Sequence, residues 1–161
     1  LFPSRRSSDR DQLPRLIVGL ATHHQTESLV KQSKSFVAHL IASDQSDWVQ
    51  HFGTQSGRDI DKFSDLEFTT SVTQAPILKD AHAWLECRVE NVMESGDRHW
   101  YLAEIVDAKW STDFVPLTFQ AFLSQADDDL KALLKKQLGE DSLTDRQLVE
   151  EWRLSHDSTD Y

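Results

Sequence analysis

The sequence predicts a mainly β domain of antiparallel strands followed by an acidic helical tail, on three observations. Two long runs, His82–Met93 and Arg98–Trp110, flank a four-residue turn, Glu94-Ser95-Gly96-Asp97, as the arms of a hairpin do. Ahead of them, Arg15–Ala21 and Ser35–Ile41 are short β-branched or apolar runs bounded by turn residues. After Phe119 the pattern changes to helical spacing, and Gln120 to Tyr161 carries ten acidic against five basic residues.

Each element has a local reason. Pro14 introduces the first strand, and residues 1–14 before it read as an irregular leader. Thr26 has the chemistry of a helix N-cap for Glu27–Lys34, with Leu29 and Val30 on the inner side. Asp44 opens a short helix through Phe52, in which Trp48, Val49 and Phe52 share a face, and Gly53 ends it. Thr54–Phe63 is polar and loop-like. On the first hairpin arm Ala83, Leu85, Cys87, Val89 and Asn91 alternate against Trp84, Glu86, Arg88 and Glu90, the pattern of a half-buried strand. In the tail, Asp127–Leu138 and Thr144–Leu154 read as two helices divided by Gly139, with Leu130, Leu133, Leu134 and Leu138 as an apolar stripe.

Composition narrows the function. A chain of 161 residues and 18.5 kDa fits one domain with a short appendage. Its net charge of −10 repels phosphate backbones and leaves no basic patch for nucleic acid. The longest apolar run, Leu16–Ala21, is far short of the ~20 residues that span a bilayer. Cys87 stands alone, which excludes an internal disulfide and a cysteine-based metal site. A cytoplasmic setting is the expectation. Adjacent His23 and His24 are expected to send their rings to different sides, and the other five histidines lack metal-ligand spacing, so no metal site is expected. No GxSxG elbow occurs, and Cys87 falls on the apolar side of its strand.

Ser56-Gly57-Arg58-Asp59-Ile60-Asp61-Lys62-Phe63 is the more informative segment. A hydroxyl, free backbone amides and two cations in one loop suit a phosphate. Asp59 and Asp61 equally suit surface ion pairs with those cations. The aromatic residues Trp84, Trp100, Tyr101 and Trp110 read as packing residues.

Taken in order, Leu13–Ala21, His24–Thr26, Ser35–Ile41, Phe52–Phe63, Pro76–Leu78, Trp84–Val89 and Gly96–Ile105 resemble the flavin reductase-like family, the FMN-binding split-barrel flavoproteins. The resemblance covers about residues 13–118. It implies a six-stranded antiparallel split barrel of Greek-key topology over 15–118, with 119–161 as the acidic helical extension. It also implies a homodimer, bound FMN (FAD as the alternative), NADH or NADPH as electron donor, and a downstream acceptor such as a monooxygenase. By position it makes Thr22, His23, His24, Thr26, His39, Ser56, Gly57, Arg58 and Lys62 the flavin-binding candidates. Lys62 has a second reading, as a pin between loop and barrel. Arg98 is the candidate catalytic residue, standing where many members have a histidine after Gly-Asp. Members carry two barrel strands before the strand that Pro14–Val18 resembles, and only fourteen residues precede Arg15 here. The chain is therefore expected to be an N-terminally shortened piece of a longer protein. An NAD(P)H-dependent flavin reductase is the leading function. A non-catalytic FMN-binding electron-transfer or sensor module is the alternative, and a split barrel that has lost its cofactor is a third.

Overall fold

A computed structural model describes residues 13–156. Ten elements follow in chain order: β1 (Arg15–Ala21), α1 (Gln25–Ser33), β2 (Ser35–Leu40), α2 (Ser46–Gly53), β3 (Phe68–Thr69), β4 (Ile77–Leu78), β5 (Ala83–Glu94), β6 (Arg98–Trp110), α3 (Phe119–Gln125) and α4 (Asp128–His156). Most of the expected leader lies outside the described residues.

The hairpin β5–β6 is the spine. Its turn closes where Ser95 N–H donates to Arg98 O at 3.0 Å, and Gly96 supplies the positive φ of +89° that the turn requires. β1 adds to the outer half of β6, from Arg15 opposite Glu104 to Ala21 opposite Arg98, and β2 adds to the inner half of β5. All pairs are antiparallel, and the four-stranded order is β1-β6-β5-β2, with β3-β4 as a separate ribbon. Register shifts between Glu86/Cys87 and Val89/Asn91 insert bulges. Bulges bend and twist a ladder, so the sheet curls into a half-barrel instead of lying flat. This is the expected split-barrel class.

Local chemistry moved several boundaries. Helix α1 begins at Gln25 with His24 as its extended N-cap and no side-chain cap, so Thr26 sits inside the first turn. Its end is a left-handed Lys34, φ 57°, whose N–H reaches Val30 O at 2.9 Å. Helix α2 takes Gln45 and not Asp44 as its N-cap, and the Gln45 side chain makes no bond to the helix's own first amides but is bound on both sides elsewhere. It accepts from Ala42 N–H at 3.2 Å and donates to Asp80 O at 2.9 Å. Gly53 remains helical, and Thr54 caps the helix.

The alternation on β5 also breaks. Glu86, expected on the polar side, is wholly buried. The segment after β3 folds over that face, and Glu86 accepts from Val72 N–H, Thr73 N–H and Thr73 Oγ1–H at 3.2, 2.6 and 2.7 Å. A buried carboxylate with three donors is satisfied.

In the tail, one 29-residue helix replaces the expected pair, and Gly139 lies in its interior. A second helix, α3, precedes it, capped by Thr118 Oγ1 accepting from Ala121 N–H. Helix α4 buries none of its residues, and Leu138, Leu143 and Leu154 are exposed. The expected leucine stripe is therefore not a core face. The half-buried positions run Leu130, Leu134, Gln137, Asp141, Asp145, Leu148, Val149 and Trp152, and those from Gln137 onward lie against the loops at the turn end of the hairpin.

Candidate functional site

Three loops meet at that end: residues 22–24 after β1, 54–58 after α2, and the 95–98 turn. Thr22 is tied to the turn twice, its N–H and its hydroxyl donating to Asp97 O at 2.9 and 3.2 Å. Arg58 crosses to the first loop, its guanidinium donating to His23 O at 2.9 Å, and its own N–H donates to Ser56 Oγ. Gly57 packs beside Gln25, a Cβ on it falling 3.5 Å from that side chain. The loop thus abuts the N-terminal turn of α1, where backbone N–H groups and the helix dipole favour an anion.

Helix α4 closes over this cluster through polar contacts. Gln137 donates to Thr54 O at 3.0 Å. Asp141 Oδ1 stands 3.2 Å from His23 Nε2, and its Oδ2 is 3.5 Å from His24 Nε2. Asp145 Oδ2 accepts from Arg98 Nη2 at 3.1 Å, and Arg98 Nε also lies 3.3 Å from Asp97 Oδ2. At the turn the backbones nearly touch, since a Cβ on Gly96 would sit 2.8 Å from Trp152 Cβ and 3.0 Å from Leu148 O.

Of the sequence candidates, Thr22, His23, His24, Ser56, Gly57, Arg58 and Arg98 come together here. Thr26 is exposed on the first turn of α1. Lys62 lies behind its loop, with its ammonium donating to Phe52 O at 2.6 Å while His51 Nε2–H donates to Lys62 O at 2.7 Å. Burial lowers the Lys62 pKa. These two bonds pin the loop to α2. His39 is apart, on β2 opposite Trp84, toward the other end of the hairpin. Its Nε2 accepts from Leu78 N–H at 3.1 Å, and burial lowers its pKa, which suits a neutral acceptor.

The rings of His23 and His24 do not diverge as expected. They pack edge to face with centroids 4.4 Å apart, and both reach Asp141. Asp141, Asp145 and Gln137 are the site residues that the sequence hid. Their only signal was a polar i, i+4, i+8 line along the tail.

Beneath the cluster, Glu27 fastens α1 to the sheet. Its Oε1 accepts from His99 Nδ1–H at 2.6 Å and from Tyr101 O–H at 2.7 Å. Burial by itself would raise the Glu27 pKa, but those two bonds outweigh it and hold the carboxyl below its ordinary range. Burial and the same carboxylate push the Tyr101 phenol up. Cys87 is buried, its thiol pushed up to about 11 by burial, so it stays a protonated hydrophobe.

Residues 11–122 match the flavin reductase like domain. The chain belongs to that family. Among its relatives, diflavin flavoprotein A 1 of Synechocystis is 32% identical over 88 residues, 54% of this chain and 15% of its own. The reductase component of the 4-nitrophenol 4-monooxygenase/4-nitrocatechol 2-monooxygenase of Rhodococcus opacus is 28% identical over 102 residues, 63% of this chain and 53% of its own. Among solved structures, an FMN-binding protein of Thermus thermophilus superposes with a TM-score of 0.57 at 26% identity, covering 62% of this chain and 57% of that one. The chain spans about half or less of the length of these curated relatives.

The loop cluster gathers groups that could hold the phosphate of a flavin. Arg58, the Ser56 and Thr22 hydroxyls and the α1 N-terminus supply a cation and donors for it. A cavity of about 130 Å³, lined by Ala42, Ser43, Asp44, His82, Asp113, Phe114 and Val115, lies toward the opposite end of the hairpin. It is smaller than the roughly 300 Å³ at which small-molecule pockets begin.

Proposed function

We propose that this chain is the flavin-binding domain of an NAD(P)H-dependent flavin reductase, holding FMN, or FAD as the alternative, as a homodimer that serves a monooxygenase or another acceptor. The observation that carries the proposal is a family match over residues 11–122, with Arg58 and the Ser56 hydroxyl brought beside the N-terminal turn of α1. The Rhodococcus relative, named as a monooxygenase reductase component, supports the choice of acceptor. Flavin, when bound, accepts a hydride and carries its electrons onward.

The chain's own residues then have binding and positioning tasks. Thr22, His24, Thr26, Ser56, Gly57 and Arg58 hold the phosphate and ribityl end, with His23 setting the loop through its carbonyl. Lys62 keeps the 54–63 loop closed on α2, and His39 holds β2 to β4. Arg98 brings a permanent positive charge to the turn, which would favour an anionic dinucleotide if one binds there. These residues bind and orient, and the electron transfer belongs to the flavin.

A second reading has its own observation. Asp97 and Asp145 already flank Arg98, and α4 covers the turn. In that arrangement the domain binds flavin without oxidising nicotinamide, as an electron-transfer or sensor module.

Titrating FMN with the full chain, followed by an NADH and NADPH oxidation assay, tests both. The expectation is saturable quenching of flavin fluorescence, weakened about tenfold or more by Arg58→Ala through loss of a charge-assisted bond. Nicotinamide oxidation supports the reductase, and retained flavin without oxidation supports the module. A folded chain that quenches no flavin overturns both readings.

A further inference from the structure

The β1–α1 turn and α4 bring three metal-ligating atoms to one point. His23 Nε2 lies 3.2 Å from Asp141 Oδ1, His24 Nε2 lies 3.5 Å from Asp141 Oδ2, and the three residues can each offer one ligand atom within 4.8 Å of the others. Ligands about 2.0–2.1 Å from a tetrahedral zinc ion stand about 3.3–3.4 Å from one another. The two imidazoles approach different oxygens of Asp141, and one ligand atom from each residue lies within 4.8 Å of the other two, so rotation of the carboxylate and the rings about their side-chain bonds has to close the remaining gap onto one ion.

The other nitrogen of His23 supplies an independent observation. Nδ1 is shielded from solvent without a hydrogen-bond partner, and so is Asp145 Oδ1. The two face each other at 3.6 Å. When Nε2 carries the ring proton toward Asp141, Nδ1 presents a lone pair to a carboxylate, and both atoms are left unsatisfied. A cation on Nε2 reverses this. The proton then sits on Nδ1 and points at Asp145, the carboxylate–histidine–metal arrangement that orients metal-bound imidazoles. Asp145 is itself held in place by Arg98 Nη2 on its other oxygen.

We propose that His23, His24 and Asp141 form a site for a divalent transition-metal ion of the zinc class, with Asp145 as the carboxylate that orients His23. Two nitrogens and one oxygen are a borderline donor set of the kind zinc takes, and they leave a fourth position for water or an anionic ligand. Two ligands come from the β1–α1 turn and one from α4, so the ion bridges them. Helix α4 buries none of its residues, and the ion latches it over the loop cluster. The site does not depend on flavin, since its ligands and its test involve the metal alone.

The test uses the whole chain, stripped with chelator, and titrates Zn²⁺ and then Co²⁺. The expected result is one ion per chain and, with Co²⁺, the visible absorption of a tetrahedral centre. His24→Ala and Asp141→Asn each weaken binding at least tenfold. Asp145→Asn weakens it roughly 10–100-fold without removing a ligand. His82→Ala, remote from the cluster, leaves affinity at the wild-type value. Zn²⁺ also slows amide exchange in α4 of the wild type, and does so much less in Asp141→Asn. Circular dichroism verifies that each variant is folded, and Asp141→Asn preserves side-chain size should His24→Ala disturb the turn. Absence of stoichiometric binding overturns the proposal. So does wild-type affinity in both ligand variants, or an equal loss in His82→Ala.

Discussion

At the scale of single residues, two buried carboxylates hold elements to the sheet in different ways. Glu27 joins α1 to β6 through His99 and Tyr101, and Glu86 ties down the segment after β3. Replacing Glu27 with Leu leaves two buried donors without an acceptor, each costing about 1–3 kcal/mol. The measurable outcome is a loss of about 2–4 kcal/mol in urea unfolding at neutral pH. Because the folded Glu27 pKa is depressed below its ordinary 4.5, its contribution is fully present above that value. It drains away as acid takes the pH down through the lower folded pKa. The gap between wild type and Glu27→Leu should therefore narrow on acidification, and a constant gap down to the acid limit would contradict this assignment. Residues of this kind were only half legible in the sequence. Glu86 read as a solvent-facing polar position on β5, and nothing local showed that a loop 13 residues away would bury it. His23 and Asp141 are 118 positions apart, and only the fold makes them neighbours.

Among the elements, the hairpin was legible because alternation and turn chemistry are both local, and β5 and β6 begin and end within a residue or so of expectation. Helix α4 was not. A glycine followed by acidic residues reads as a break, yet neighbouring turns carry the helix across it, and helix formation is cooperative. Gly139 stands in open space, with nothing within 4 Å of where a Cβ would stand, and its φ is ordinary. Gly139→Ala should therefore stabilise α4 by about 1 kcal/mol, the difference in helix propensity, and raise the melting temperature by roughly 2–4 °C. Gly96 predicts the opposite sign. Its φ of +89° and its 2.8 Å approach to Trp152 leave no room for a side chain. Gly96→Ala should both strain the turn and push α4 away, reading out as faster proteolysis of the tail as well as a lower melting temperature. A Gly96→Ala chain whose tail resists protease like wild type would show that α4 does not rest on the turn.

For the whole molecule, the curl of the sheet leaves two unlike faces. The inner face carries Tyr101 and Ala103 on β6, fully buried, with α1 fastened over part of it. The outer face carries Ile17 on β1, Met93 on β5 and Trp100 on β6, which the register places near one another and which are 64%, 62% and 38% exposed. Trp100 lies flat across Gly19, within 2.9 Å of where a Cβ would be, so its ring is fixed in place and not free to fold inward. A fixed apolar group beside an open strand edge is what a half-barrel shows where another strand or subunit is to cover it. The proposed homodimer would supply that cover. Light scattering should then give twice the 18.5 kDa chain mass at micromolar concentration, and Ile17→Lys should shift it toward a single chain mass while circular dichroism stays unchanged. Placing a charge at the centre of an apolar contact costs several kcal/mol on association but little in a monomer that already exposes the site. A wild-type chain that scatters as 18.5 kDa up to high concentration would contradict the homodimer and leave the outer face without a second copy to cover it.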